Sequence, residues 1–453
     1  MSNEEMSSAL EKLAEKVREM IEKRTSDGSL KPEEETYFRW KVERFQYTNK
    51  GISDFAAKGD YFAKRSWFRA IIKIGEDAKS TEEYSSTLDY LNKAFGTSER
   101  FTHYLDSFVT AVANQQLDDE AEKVSIDSLV KIFIKDLKEE PIKSEAEVEL
   151  QGLVLGPEIV EPTFGTILRR TKVEDLEKAI PAHGLINRTF LANPSAIMKI
   201  ELLERNPAEI QKKVENAITI LRLFRIGSVK WISYKLSSES IAGWIGGTLS
   251  SGSSEMALES YILEKQDATK LKRFWKALNT AIPESFFGPG SMSNYLTIAY
   301  NRYIEALLKN GLFERRVANA VMGLEALVLK PGEKQELTYR LGIRISKLLA
   351  LLGYNPYEAR NITNDAYKVR NLFAHGGQLD YKGRKKLESK YNDTKNLLLP
   401  ILDYLRILLV IMILTKKGKD EFIDLIDDSL IDKEKESQLN ATLSGAREII
   451  KEG

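Results

Sequence analysis

The chain has 453 residues, with 67 basic and 67 acidic side chains, three histidines and no cysteine. A net charge of zero excludes a whole-chain field that draws the protein to nucleic acid, so any polyanion site must be a local patch. The missing cysteine excludes disulfides, thiolate metal sites and cysteine nucleophiles, and fits a reducing cytoplasm.

The length predicts two or three domains. Apolar and charged fractions of 42% and 30% are those of a soluble globular protein. The first residues, Met1-Ser2-Asn3-Glu4-Glu5-Met6, are polar and acidic and do not read as a signal peptide.

Residues 1–140 read as an N-terminal helical region. Ala9, Leu10, Leu13, Val17, Met20 and Ile21 recur with helical period. Ser26-Asp27-Gly28 and Lys31-Pro32 break that helix. Pro32-Glu33-Glu34-Glu35 reads as a new helix start, with a second helix through Tyr37, Trp40 and Phe45. Gly51 to Gly59 reads as an interruption. Tyr61 to Ile74 carries Trp67 and Phe68 among Lys64, Arg65 and Arg69. Such interleaving can grip single-stranded RNA; the plainer reading is a core-facing aromatic helix with a solvated basic face. His103 lacks neighbours at metal-site spacing and reads as a packed or surface residue.

Residues 141–260 read as a mixed α/β unit. Glu147 to Leu155 begins with strand-like alternation, and Gly156-Pro157 is a turn. Glu158 to Arg170 reads as the return strand, confined to an edge or bend by Pro162. Ser195–Glu201 and Ser228–Lys235 are further strands, with a helix over Pro207–Arg225 between them. Gly243 to Ser254 reads as a loop, since it lacks the Gly-Lys-Ser/Thr ending of a phosphate-cradling loop. His183 reads as a turn residue.

Residues 261–453 read as an antiparallel helical bundle with an acidic helical tail. Helices are expected over Leu271–Ile282, Tyr295–Leu308, Phe313–Leu329 and Gln335–Leu352. Another starts at Pro356, and a last long one covers Tyr381–Leu414. The tail from Lys419 reads as a helix outside the bundle. Leu397 to Leu414 is apolar enough to suggest a membrane span. It contains Pro400, and Asp403 and Arg406 lie off a stripe of Leu398, Ile401, Leu405 and Leu408, so a buried bundle helix is the reading, with no membrane. The fold class is therefore mainly α.

The stretch that carries chemistry is Asp365-Ala366-Tyr367-Lys368-Val369-Arg370-Asn371-Leu372-Phe373-Ala374-His375-Gly376-Gly377. On an unbroken helix, Arg370 and His375 would point about 140° apart. The glycines resolve this: a helix ending near Phe373 or Ala374 can turn through Gly376 or Gly377 and re-aim the imidazole. This stretch resembles the Arg-Asn-x-x-x-His signature of the HEPN superfamily, in particular its Apea-like branch. Leu324-Glu325-Ala326-Leu327 and Leu337–Leu349 precede the motif in the order of that branch, and the resemblance covers about residues 295–415.

The resemblance implies an endoribonuclease of prokaryotic antiviral defence, acting in abortive infection as an effector or toxin, with RNA as partner. RNA carries its own nucleophile, the 2′-OH, so cleavage needs a proton acceptor, a proton donor and a cation at the phosphate. His375 suits the proton steps and Arg370 the phosphate, while Asn371 can orient either. No metal or cofactor is required. HEPN ribonucleases usually pair two motifs across a dimer cleft, which implies a homodimer or higher homo-oligomer. Residues 1–260 would then sense a trigger or partner, or restrain the nuclease.

Lys382, Arg384, Lys385, Lys386 and Lys390 could hold flanking RNA, together with Lys395; a solvated helix face is the alternative. Arg370 could instead cap carbonyls or pair with Asp365, and His375 could be a simple C-cap facing the helix dipole. Some HEPN toxins carry a modified tyrosine two residues after the histidine; here that position is Gly377, so the same control is not implied. A catalytically silent RNA-binding or assembly scaffold is the other function considered.

Overall fold

The computed structural model describes residues 3–118, 123–181, 195–243, 246–249, 260–286, 294–309 and 311–452. His183 and most of Gly243–Ser254 lie outside these residues; where that expected loop is described, Gly246–Leu249 is a strand. About 59% of the described residues are helical, in 16 helices, so the protein is mainly α with a sizeable sheet.

Helix α1 (Asn3–Ser26) buries Leu10, Leu13, Val17 and Ile21, the stripe that its sequence spells. The chain then departs from the expected second helix. Strands β1 (Glu33–Thr48) and β2 (Gly51–Ser66) form a long antiparallel hairpin. Thr36, Tyr37, Phe38, Trp40, Val42, Phe45 and Tyr47 are β-branched or aromatic and fit a pleated surface better than a helix. Gly51, at φ +92°, closes the turn at the hairpin tip, and the expected interruption is the start of β2. The basic-aromatic stretch splits at Trp67. Tyr61 to Ser66 belongs to β2, and Phe68 opens helix α2 (Phe68–Ala78). Helices α3 (Glu82–Phe95), α4 (Glu99–Leu117) and α5 (Ile126–Leu137) complete an N-terminal cluster around Leu91, Phe101, Phe108 and Phe133. Thr81, Ser98 and Ser125 cap the starts of these three helices. His103 lies exposed on α4.

The middle of the chain builds β3 (Lys143–Gln151), β4 (Leu153–Leu155), β5 (Ile159–Thr163), β6 (Thr166–Arg170), the short α6 (Val173–Leu176), β7 (Ile180–Pro181), β8 (Ala196–Leu203), α7 (Pro207–Phe224), β9 (Lys230–Ser238), β10 (Gly246–Leu249) and β11 (Tyr261–Leu263). Six strands form an antiparallel sheet in the order β10-β9-β3-β8-β6-β5, and β5, which holds Pro162, is its edge. β4 leaves the line of β3 at Gly152, where φ is +84° and a Cβ would sit 2.1 Å from the Ser228 carbonyl oxygen. It pairs in parallel with β11.

Two polar clusters are among the ties between the N-terminal part and the middle of the chain. Asp136 of α5 is fully buried and accepts hydrogen bonds from Arg205 Nη1 (2.7 Å), Ser240 Oγ (2.9 Å) and the Ile241 amide (2.6 Å). At the hairpin tip, the Tyr47 hydroxyl donates to the Ser195 carbonyl (2.9 Å) and accepts from the Leu155 amide (3.0 Å).

The C-terminal part runs through α8 (Asp267–Leu278), α9 (Tyr295–Leu308), α10 (Phe313–Val328), α11 (Leu337–Leu351), α12 (Pro356–Ala374), α13 (Tyr381–Tyr391), α14 (Lys395–Thr415), α15 (Lys419–Asp428) and α16 (Lys433–Glu452). The expected last long helix is two, because Asn392 takes φ +62° between α13 and α14. α14 is the apolar helix, and 78% of its most apolar stretch is buried inside the protein, the packing of a core helix. Arg406 is buried within it. It pairs with Asp403 (2.7 Å) and donates to the carbonyls of Leu223 (2.9 Å) and Phe224 (3.0 Å) at the end of α7. One continuous apolar core therefore runs from the sheet through α7 into the bundle.

The acidic tail does not lie outside the bundle. Phe422, Ile423 and Ile426 of α15 and Leu439 and Leu443 of α16 are fully buried. Arg344 of α11 fastens this tail, holding Glu333 through two hydrogen bonds (2.6 and 2.8 Å) and Asp427 of α15 through two more (2.6 and 2.8 Å). Replacing Arg344 by Met removes both of its hydrogen bonds to Asp427 and leaves the largely buried Glu333 with only Arg340 Nη1 (3.2 Å) and the Lys330 amide (2.9 Å). It should cost about 3–5 kcal/mol in denaturant unfolding. The hydrogen bonds of Arg344 hold the Glu333 carboxyl at about 2, against an ordinary 4.5. A depressed carboxylate stabilises the fold above the unfolded value. This stability should be intact above pH 4.5 and fall as acid titrates the group toward pH 2, and Arg344→Met should flatten that slope in unfolding curves.

Candidate functional site

The site begins with the helix that carries it. α12 starts at Asn355, whose side chain accepts from the amides of Tyr357 (3.0 Å) and Glu358 (3.3 Å), with Pro356 at the first helical position. It buries Ala359, Ile362, Ala366, Tyr367 and Val369 against α10 and α11. The helix ends at Ala374 with His375 as its cap. Gly376 takes φ +77°, its amide donates to Phe373 O (3.0 Å), and the Gly377 amide donates to Leu372 O (2.9 Å). This pair of bonds is the Schellman ending, which needs a left-handed residue where Gly376 stands. The expected break after Phe373 or Ala374 is therefore where the chain turns.

The ending sets the orientation of the three motif residues. His375 is exposed, and its imidazole makes no hydrogen bond to another described residue. Its backbone amide donates to the Asn371 carbonyl (3.2 Å). Arg370 is half-buried. Its Nη1 donates to Asn371 Oδ1 (3.2 Å), its Nη2 donates to Glu325 Oε2 of α10 (3.0 Å), and its guanidinium lies 5.6 Å from the Tyr367 ring centre. Arg370 and Asn371 thus act together, while His375 meets them only through the backbone.

Asp365 is not the partner of Arg370. It accepts from Lys368 (2.9 Å), Lys390 (2.5 Å) and the Tyr391 hydroxyl (2.8 Å). Burial alone would raise the Asp365 carboxyl, but these hydrogen bonds bring it below its ordinary value.

Glu325 is the residue that sequence reasoning missed. Burial pushes its carboxyl up, and the charge of Arg370 with hydrogen bonds from Arg370 and Tyr367 offsets part of that rise. The signal was available: a single acid inside the apolar run Leu324-Glu325-Ala326-Leu327 needs a cationic partner once buried.

The five basic residues of α13 divide. This helix buries no residue of its own. Lys382, Lys385 and Lys386 are exposed, and Lys385 Nζ lies 4.8 Å from the Tyr381 ring centre. Arg384 donates to Glu314 Oε1 (3.1 Å), and Lys390 holds Asp365. Glu314 is 1% exposed and also accepts from the Leu379 amide (3.4 Å), so Arg384 and Lys390 act as struts that hold α13 onto the bundle.

No protein-family model matches the chain, and neither a curated protein nor a solved structure matches it.

Nothing surrounds the position of a Cβ on Gly376, so a substitution there is strained only through its backbone. Gly376→Ala should cost about 1–2 kcal/mol in thermal or denaturant unfolding and loosen the last turn. Hydrogen exchange should show faster opening at the amides of His375, Gly376 and Gly377.

Proposed function

We propose that this chain is a metal-independent endoribonuclease of HEPN type that works as a homodimer. What supports the reading most is one observation: Arg370, Asn371 and His375 share a single helix terminus, with the imidazole exposed beside it. The likeness of this stretch to Apea-like HEPN sequences supplies the biological context, antiviral defence by RNA cleavage in abortive infection.

In this mechanism the 2′-OH attacks the adjacent phosphorus. The bond to the 5′-oxygen breaks, leaving a 2′,3′-cyclic phosphate and a free 5′-OH. His375 of one protomer takes the 2′-OH proton, and His375 of its partner gives a proton to the leaving oxygen. Arg370 meets the charge on the phosphoryl oxygens, with Asn371 fixing the plane of its fork. Lys382, Lys385 and Lys386 present the free positive charge of α13 to the flanking backbone. Residues 1–260 sense the trigger or restrain the cleft.

One feature favours a second reading, a silent RNA-binding or assembly scaffold. Glu325 already neutralises Arg370, so in this arrangement the guanidinium is a structural strut. For the nuclease to act, phosphate must compete with Glu325 for the same fork.

The test is RNA cleavage by the full chain in EDTA, wild type beside His375→Ala and Arg370→Ala. Wild type should release fragments with 2′,3′-cyclic phosphate ends. Both variants should lose about 100-fold or more of the rate, with RNA affinity largely kept in His375→Ala. Equal cleavage by all three places the chemistry elsewhere. RNA binding without cleavage by wild type, unchanged in His375→Ala, supports the scaffold.

A further inference from the structure

The outer strand of the N-terminal hairpin leaves one edge open. β2 is 16 residues long and lies at the end of its sheet, in the order β2-β1-β7. Among the described residues, β1 is the one strand that pairs with it. Natural edge strands are blunted by proline, by shortness, by a bulge or by charge, and β2 carries charges at Asp54, Lys58, Asp60 and Lys64 that restrict which strand can pair with it. β2 has no proline, and from Asp54 onward the extra residue of the one irregularity, Glu43, belongs to β1. The edge is thus long and regular where it faces outward.

The residues along it complement themselves. We infer that β2 pairs antiparallel with β2 of a second copy of this chain, with Gly59 facing the partner's Gly59 on the two-fold axis. In that register Lys58 faces the partner's Asp60, and Asp54 faces the partner's Lys64. On the other rows a large side chain always meets a small one. Ala56 faces the partner's Phe62, Ala57 the partner's Tyr61, and Phe55 the partner's Ala63. Facing residues share a face of the sheet, so each of these is a direct cross-strand pair.

Neighbouring registers fail. A slip by two residues in one direction sets Lys58 against the partner's Lys58, and in the other Asp60 against the partner's Asp60. A slip by one residue cannot be two-fold symmetric, because successive antiparallel pairs alternate between hydrogen-bonded and non-hydrogen-bonded. The charges are already poised within the hairpin. Lys58 lies 3.4 Å from Glu43, Asp60 3.0 Å from Arg39 and Asp54 3.7 Å from Arg44, all partly exposed, so pairing extends existing rows instead of burying isolated ions. Tyr61 stays 64% exposed although its ring packs against Phe38 at 4.9 Å, and the second strand covers it.

This contact is independent of His375 and lies on a different element from the bundle. Two separate two-fold contacts on one chain would build closed tetramers or open filaments, not a simple dimer.

The chain has no cysteine, so an introduced thiol is the only one present. Full-length Lys58→Cys and Asp60→Cys are purified reduced, then oxidised alone and as an equal mixture. Facing Cα atoms about 4.5–5.5 Å apart lie within disulfide reach, while like positions lie beyond it. The mixture should give about tenfold more linked dimer than either variant alone. Ala56→Cys mixed with Phe62→Cys repeats the test with every charge in place. Absence of linked dimer in both mixtures overturns the inference. So does equal linkage in the single-variant samples, which would signal random collision or a different register.

Discussion

The guanidinium of Arg406 holds the two halves of the larger core in one piece. It is buried in the most apolar helix of the protein, where an unpaired charge would be severely destabilising. Asp403 balances the charge and accepts from Nε, and the carbonyls of Leu223 and Phe224 both accept from Nη1. Those carbonyls are the free ends of α7, the helix that lies on the six-stranded sheet. The same contact therefore satisfies a buried cation and terminates a helix. The Thr219 and Tyr300 hydroxyls share a hydrogen bond of 2.7 Å, and the Tyr303 hydroxyl donates to the Arg222 carbonyl at 2.9 Å, which continues the seam. Sheet and bundle are consequently one packing unit, and the position of α10, α12 and α14 depends on it.

A second set of arginines performs local versions of the same task. Arg344 fixes the acidic tail, Arg370 ties α12 to α10, and Arg384 ties α13 to Glu314. A chain with zero net charge thus spends much of its positive charge on internal carboxylates. What remains free near His375 is a short row of lysines on α13. On α13, Lys382, Lys385 and Lys386 are the exposed cations with no carboxylate partner among the described residues. The pairing of Arg370 makes Glu325 the competitor that a phosphate would have to displace.

The sequence and the fold agree best where one local rule decides the outcome. The helix stop at Gly376 is such a case, because only glycine adopts that backbone without strain. Asn355-Pro356 is another, since the cap and the missing amide of proline both specify a helix start. The sharpest disagreement is at Glu33 to Ser66. Pro32 followed by three glutamates has the local appearance of a helix start. The aromatic and β-branched residues that follow form a ribbon because β1 finds partners on both sides, β2 and β7. A helical period and a strand period fit Tyr37, Trp40 and Phe45 equally poorly, so the pairing decided.

The amino-acid sequence by itself determined the helical character of the C-terminal half, the turn at Gly376 beside His375, and the buried fate of Leu397 to Leu414, which Pro400, Asp403 and Arg406 interrupt. These follow from periodicity and backbone preference, which act within a few residues. Tertiary structure alone decided which acid meets which base. Asp365 lies five residues from Arg370, yet it holds Lys390, while Arg370 reaches Glu325 on another helix. It also decided that the acidic tail packs on the bundle and that the hairpin leaves β2 at an edge. Ion pairs and strand pairs join residues far apart in the chain, and their choice depends on which surfaces the core brings within reach.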